Sequence, residues 1–278
     1  MIPDLVRAVA DTRGDATSIA HLADGMSSSA WLATIDDREC VIRVPTDGHD
    51  RPPPDYRGES ELNAALRAVG VPAAASEAVT VDGCECSIAP LISGDPIQPH
   101  QWDPAFTRDV AGALAATHSL AVAGRGLPDA VNRFHLARLW PLDGTELADH
   151  PAATRLPDHV TWIASRHRAI EAAAAAPPAV VHTDLHWDHL LRNSAGRLSG
   201  LLDFGDAFAG PPGWDLACLR YYHGESAARR VIRHYPDGDR VWQHSHLLGI
   251  AFALYKLDKT PDRSDVIDRV TTLLNSAR

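Results

Sequence analysis

The apolar pattern of this chain changes period near Gly94-Asp95-Pro96, and that change limits the fold more than any other feature. Before it, short runs of strand-forming residues alternate with polar turns. The segment from Thr17 to Val44 reads as strand, loop, strand, turn, strand. Gly25-Met26-Ser27-Ser28-Ser29 forms the first loop, and Ile35–Glu39 joins Trp31–Thr34 to Cys40–Val44. Gly48–Gly58 is rich in Pro, Asp and Gly and reads as a mobile loop. A short helix is expected over Glu59–Val69, with Leu62, Ala65, Leu66 and Val69 on one face and Pro72 as its stop. Val79–Val81 and Cys84–Leu91 should pair as a hairpin around Asp82-Gly83. Beyond Pro96 the period becomes helical. Phe106, Val110 and Leu114 recur every four residues and predict a helix over Phe106–Ala121. Further helices are expected at Val160–Ala175, Leu216–Tyr221, Glu225–Tyr235, Arg240–Leu257 and Arg263–Leu274, with two short strands, Leu190–Asn193 and Leu198–Leu202, among them. The expectation is an α+β chain of two parts, a small antiparallel β-sheet lobe over residues 1–91 and a mainly helical lobe over residues 92–278.

Charge narrows the function. Lys and Arg number 26 against 36 Asp and Glu, a formal net charge of −10 over 278 residues. Such a balance disfavours nucleic acid, whose recognition uses a basic excess or stripe. The longest apolar stretches, Leu247–Tyr255 and Ala172–Val181, are far shorter than the roughly 18 residues of a membrane span. Met1-Ile2-Pro3-Asp4 does not open a secretion signal, and four cysteines are too few for a disulfide scaffold. A cytoplasmic enzyme with a small-molecule substrate and no nucleic-acid or membrane partner is expected. Neither heptads nor an evident self-complementary strand points to an oligomer.

The chemistry concentrates in His182-Thr183-Asp184-Leu185-His186-Trp187-Asp188-His189, where three His and two Asp fall within eight positions. After a hairpin follows Leu201-Leu202-Asp203-Phe204-Gly205-Asp206. One carboxylate can deprotonate a hydroxyl, and a second carboxylate with an imidazole can hold a divalent cation on phosphate oxygens. Two other readings fit the same residues. The histidines could cap a turn, or His182, Asp184 and His186 could share one face of an extended chain as a hydrolytic metal site.

His-x-Asp-Leu-His, a metal-ligand position five residues after the Asp, a hairpin and Leu-Asp-Phe-Gly-Asp together resemble the aminoglycoside phosphotransferase family. These are small-molecule kinases with the protein-kinase-like fold. The family reads His-Gly-Asp-Leu-His-x-x-Asn, then Ile-Asp-Phe or Ile-Asp-Trp, then Gly-Asp-Pro-x-x-Asp-Leu-Ala. Here the last part is Gly210-Pro211-Pro212-Gly213-Trp214-Asp215-Leu216-Ala217, and the resemblance runs over residues 17–258. It implies that Asp184 is the catalytic base and that Asp203, with His189, binds Mg²⁺. His189 stands at the usual Asn position, as is common in the macrolide-phosphorylating branch, and Pro211 replaces an Asp. The resemblance makes Asp215 a structural residue near the catalytic loop.

The front lobe is similar to the family's nucleotide-binding lobe. Val41-Ile42-Arg43-Val44-Pro45 resembles the strand whose cationic residue reaches nucleotide phosphates, which makes Arg43 the candidate, with Glu61 preferred over Glu59 as its ion-pair partner. Ser27 and Ser28 lie in the loop expected to cover ATP or GTP. Ser87–Leu91 lies where the base edge would meet backbone, with Ala89 and Leu91 as its contacts. His118 is expected to be a buried structural donor behind the catalytic loop.

A protein acceptor is disfavoured, because only eleven residues separate Asp203 from Asp215 and neither His-Arg-Asp nor Ala-Pro-Glu is present. Asp188, Asp206, Glu225, Asp237 and Asp239 suggest a cationic acceptor, with Asp188, Asp206 and Glu225 as its contacts. Trp162, Tyr221, Tyr222 and Trp242 either line its pocket or pack helices. The implied function is transfer of the γ-phosphoryl group to a hydroxyl of an antibiotic: an aminoglycoside, a basic peptide or an amino-sugar macrolide. The alternatives are a metabolic kinase of an amino alcohol, sugar or glycated amine, and a non-catalytic nucleotide-binding module.

Overall fold

The structure, a computed structural model, describes residues 2–25, 27–46, 53–128 and 145–277. It is α+β and two-lobed. The first lobe comprises Met1–Gly94 and also takes in Ser199–Gly205; the second comprises Asp95–Leu198 and Asp206–Arg278. Residues 48–52 of the expected mobile loop, and Met26 of the first loop, lie outside the described residues.

In the first lobe, five antiparallel strands form a sheet in the order β1-β2-β3-β5-β4. They are β1 (Ala16–Asp24), β2 (Ser28–Ile35), β3 (Arg38–Pro45), β4 (Glu77–Val81) and β5 (Cys84–Pro90). Two tight turns set the register. Asp36 and Asp37 both have positive φ (47° and 62°) between the paired Ile35 and Arg38. Asp82 and Gly83 (50° and 77°) do the same between Val81 and Cys84. Positive φ at both central residues is the mirror-image turn whose twist suits a hairpin. Helix α1 (Ile2–Asp11) was not anticipated, although Ile2, Leu5, Val6 and Val9 have helical spacing. Its Val6, Val9 and Ala10 pack with Ala33, Ile35, Ile42, Val44, Cys86 and Ile88 in one apolar cluster. Helix α2 (Tyr56–Ala68) is capped by Asp55, whose side chain accepts from the Gly58 amide at 2.8 Å. It buries Tyr56, Leu62 and Leu66, but Val69, expected on that face, follows the last turn and is 41% exposed. All four cysteines are free thiols.

The second lobe contains α3 (Pro104–Ser119), α4 (Thr145–Asp149), α5 (Pro151–Arg155), α6 (Pro157–Ala174), α7 (Gly213–Ile232), α8 (Gly238–Lys259) and α9 (Ser264–Ala277). Helix α8 packs against α6, α7 and α9, so Leu248, Ile250, Phe252, Leu254 and Leu257 are buried around much of its circumference. Helix α7 joins the two helices expected at Leu216–Tyr221 and Glu225–Tyr235; Gly224, at φ 80°, makes the break between them. Two small ribbons complete the lobe. β6 (Asp95–Pro96) pairs with β8 (Leu190–Arg192), and β7 (Ala179–Val181) pairs with β10 (Phe208–Gly210). The chain leaves the lobe through β9 (Leu198–Leu201) and returns at Asp206. Among the described residues no helix is long and apolar enough to cross a membrane.

Asp103 ties α3 to β8. Its Oδ1 accepts from the Ala105 and Phe106 amides at 2.9 Å, and its Oδ2 accepts from Arg192 at 2.5 Å. Replacement Asp103→Ala should lower unfolding free energy by about 1–2 kcal/mol, as loss of a helix cap does. Urea titration should show the lower midpoint, and Asp103→Asn, which keeps an acceptor, should lose less.

Candidate active site

The segment after β7 is ordered from beneath by one face of α7. Strand β7 is buried throughout, so the chain leaves it with His182 and Thr183 still inside the lobe. Their amides then need acceptors. Asp215, in the first turn of α7 and fully buried, supplies them: it accepts from His182 at 3.0 Å and from Thr183 at 2.6 Å. His118 Nε2 gives Asp215 a third donor at 2.8 Å, and the other His118 nitrogen meets the Tyr235 hydroxyl at 2.7 Å. Burial alone would raise the Asp215 pKa. The His118 hydrogen bond and charge, with the His182 contacts, outweigh burial and hold it below the usual carboxylate range. Thr183 has φ 64°, a strained value for a β-branched residue, and its hydroxyl donates to the Asp206 carbonyl.

Three further residues of α7 continue the clamp. The Leu185 amide donates to Cys218 Sγ (3.1 Å), whose thiol lies 3.3 Å from the Thr183 carbonyl. His223 Nε2 donates to the Leu185 carbonyl at 2.9 Å. The Tyr222 hydroxyl donates to Asp184 Oδ1 at 3.2 Å. Asp215, Cys218, Tyr222 and His223 are separated by three, four and one positions, the spacing of one helix face. The opposite Asp184 groups are engaged as well. Its amide donates to His182 Nδ1 at 3.2 Å, and its carbonyl accepts from His189 Nδ1 at 2.7 Å. A carbonyl only accepts, so His189 Nδ1 carries the proton and Nε2 is the lone-pair nitrogen of the neutral ring. A histidine that ligates a metal through one ring nitrogen commonly donates from the other to a backbone carbonyl in this way.

In the first lobe, Arg43 on β3 lies between two carboxylates. Its Nη1 is 2.8 and 2.9 Å from the two Glu59 oxygens, and its Nη2 is 3.2 Å from Asp203 Oδ1. Burial works against the guanidinium charge, but Glu59 and Asp203 outweigh it and hold the Arg43 pKa above its ordinary value. Burial pushes Glu59 up despite Arg43. Asp203 has φ 63°, and the backbone comes so close that a Cβ on Gly205 would sit 3.2 Å from Asp203 Oδ1. The Asp203 side chain keeps 39% of its surface exposed, and a carboxylate or an imidazole nitrogen is each a chemically competent ligand for a divalent cation.

The partner of Arg43 is therefore Glu59, and the preference for Glu61 is corrected. Residues two apart on a helix point to different sides, and Glu61 is exposed. Ala89 pairs with Val41 inside the sheet. The Leu91 amide donates to the Glu39 carbonyl at 2.9 Å, extending the ladder past Pro90, so this donor is not open to a nucleotide base. Ser28 is buried within β2, while Ser27 precedes the strand and its carbonyl accepts from Thr46. Glu225, expected as an acceptor contact, is held at 3.0 Å by both Arg220 and Arg229. Asp188 is exposed and lies 3.1 Å from His186 Nδ1, and Asp206 is half-buried. Trp242 packs beneath Arg220 and Arg229, and Trp162 beneath Arg166. Tyr222 and Lys256, whose Nζ is 2.6 Å from the Tyr222 hydroxyl, are site residues that sequence reasoning did not assign to Asp184.

Comparison with known proteins agrees with this layout. The phosphotransferase enzyme family matches residues 18–244, and the chain belongs to that family. A stretch of 64 residues is 34% identical to the uncharacterized protein YcbJ of Bacillus subtilis (strain 168); it spans 23% of this chain and 21% of that protein. The fold is similar to the GDP complex of wild-type aminoglycoside 2'-phosphotransferase-IIIa, with TM-score 0.71 and 18% identity over 99% of this chain and 97% of that one. It is also similar to choline kinase LicA from Streptococcus pneumoniae, with TM-score 0.65 and 13% identity over 99% and 98%.

The second lobe should be acid-sensitive. Burial pushes the pKa of His223 down to about 4, and burial with Arg220 does the same to His246. Below about pH 6.5 the unfolded chain takes up protons that these folded rings refuse, so stability falls as pH drops from about 6.5 toward 4. Thermal melts across that window should show the decline, and His223→Gln should make it shallower.

Proposed function

We propose that the protein is a small-molecule kinase that moves the γ-phosphoryl group of ATP or GTP to a hydroxyl of an antibiotic. The observation that carries this reading is the environment of Asp184: a carboxylate on a loop pinned at residues 182, 183 and 185, with Tyr222 on Oδ1. A rigidly held carboxylate is suited to act as a general base, because its orientation is set before substrate arrives. Asp184 orients the acceptor hydroxyl and takes its proton. The acceptor oxygen bonds to the γ-phosphorus, the bond from that phosphorus to the β,γ-bridging oxygen breaks, and the nucleoside diphosphate leaves. Arg43, braced by Glu59, presents cationic charge toward phosphate oxygens. Ser27 lies in the nucleotide-covering loop, and Ala89 in the strand beside the base. Mg²⁺, when bound, would offset charge gathering on the phosphate oxygens, with His189 through Nε2 and Asp203 through its carboxylate as the residues that would hold it. In this reading residues 1–91 bind nucleotide, residues 92–278 carry the catalytic loop and acceptor region, and the protein works in the cytoplasm. Asp188 and Asp206 remain as carboxylates for the basic groups of an aminoglycoside, basic peptide or amino-sugar macrolide.

The test is a mass-shift assay with Mg²⁺, ATP or GTP and a panel of such antibiotics beside small metabolic alcohols. One added phosphoryl group on an antibiotic is expected. Asp184→Asn should cut turnover by about 10²–10⁴-fold while leaving nucleotide affinity nearly unchanged. Phosphorylation of metabolic alcohols alone would replace the antibiotic reading, and nucleotide binding without transfer to any compound would favour a binding module. Asp203→Ala should lose the Mg²⁺-dependent part of nucleotide affinity, read by calorimetry with and without the metal.

A further inference from the structure

Lys256 is held among aromatic rings. It lies on α8, half-buried, and among the described residues it makes no ion pair. Its Nζ instead lies 5.1 Å from the ring centres of Tyr222 and Phe252, and 5.9 Å from those of Tyr221 and Tyr255. Aromatic faces attract a cation without neutralising it. Among the described residues, the oxygen to which it donates is the Tyr222 hydroxyl, at 2.6 Å. Chemistry fixes the direction of the chain of bonds. An ammonium only donates and a carboxylate only accepts, so the hydroxyl accepts from Lys256 and gives its own proton to Asp184 Oδ1 at 3.2 Å.

We propose that Lys256 acts through Tyr222 as a positioning relay for Asp184. The relay fixes Oδ1 of the base and leaves proton abstraction to Oδ2. This rests on the kinase reading above and adds two residues to it, neither of which touches substrate. Three observations support a built device. The Tyr222 ring is locked edge-on against His186 (4.9 Å, 87°) and Phe252 (6.5 Å, 76°), so its hydroxyl has a fixed aim. Burial and the neighbouring Asp184 push the phenol far above its ordinary pKa, so it stays a donor. Donation from Lys256 polarises that hydroxyl and strengthens its bond to the carboxylate. Asp184 Oδ2 is 3.4 Å from His189 Nδ1, whose proton is directed at the Asp184 carbonyl.

The experiment compares Tyr222→Phe, Lys256→Met, Lys256→Arg and the double variant Tyr222→Phe/Lys256→Met, with Asp184→Asn as control. The acceptor is the one found in the mass-shift assay; slow γ-phosphoryl transfer to water from ATP or GTP serves as an acceptor-independent reaction. Melting temperatures verify folding. Tyr222→Phe should lower kcat about tenfold, with KM for both substrates nearly unchanged, the signature of an interaction that matters in the transition state. Lys256→Met should lower kcat in the same way but less, and Lys256→Arg should recover most of the loss. The double variant should be no slower than Tyr222→Phe, because Lys256 has no route to Asp184 without the hydroxyl. Wild-type kcat in Tyr222→Phe overturns the relay, as does a Lys256→Met effect that persists undiminished when Phe stands at 222. An Asp184→Asn protein at the wild-type rate overturns the base itself and the relay with it. A slow Asp184→Asn beside a wild-type-rate Tyr222→Phe overturns the relay alone.

Discussion

The second lobe depends on one buried carboxylate. Asp215 lies at the start of α7 with no exposed surface, and three donors converge on it. A lone buried anion would be costly, and its cost explains the arrangement around it. Two of the donors are backbone amides released where β7 ends, and the third is a histidine fixed at its far side by Tyr235. Removing any of them would leave either the anion or an amide unsatisfied. The carboxylate and the loop therefore hold each other in place. Thr183 can keep its positive φ because hydrogen bonds on both sides over-determine it.

That interaction also explains how α7 operates as a template. Once Asp215 sets the phase of the helix, Cys218, Tyr222 and His223 arrive on the same face one and two turns later. Each meets the next polar group of the loop: the Leu185 amide, the Asp184 carboxylate and the Leu185 carbonyl. A loop usually gains order from its own turns. This one is ordered by a helix that follows it in sequence by more than twenty residues. Pro211, where the family has an Asp, removes a carboxylate just before α7. The amides of His182 and Thr183 still find an anion, because Asp215 is retained.

Much of this could be read in the residues, and the misses have physical causes. The strand and helix periods, the Asp82-Gly83 turn and the break at Gly224 are local signals, and local rules recover them. Arg43 and the His182–His189 segment stand out by composition. Glu59 against Glu61 is a question of helix phase, decided by which side of α2 meets the sheet, and two positions of sequence cannot decide it. Glu225 is ion-paired with Arg220 and Arg229, and helical spacing alone places Arg229 beside it, four residues on. The Asp215-Cys218-Tyr222-His223 stripe was equally visible as a pattern. Its polar character on a face turned inward is the cue that it serves a loop and not solvent. Lys256 had no such cue, because a lysine near the end of a helix, like Lys259 beside it, is ordinary until Tyr222 is seen to meet it.

His189 shows how a departure from a family pattern can preserve its physics. An amide side chain offers one acceptor oxygen and one donor nitrogen. A neutral imidazole offers the same pair on one rigid ring. Here the donor, Nδ1, is directed at the Asp184 carbonyl, and the ring cannot rotate without giving up that bond. The acceptor, Nε2, is thereby fixed in direction as well. The residue that steadies the backbone of Asp184 also carries a ring nitrogen of a kind that can ligate a cation. Imidazole nitrogen is a softer ligand than amide oxygen, so a His at this position offers any cation a different donor chemistry from an Asn.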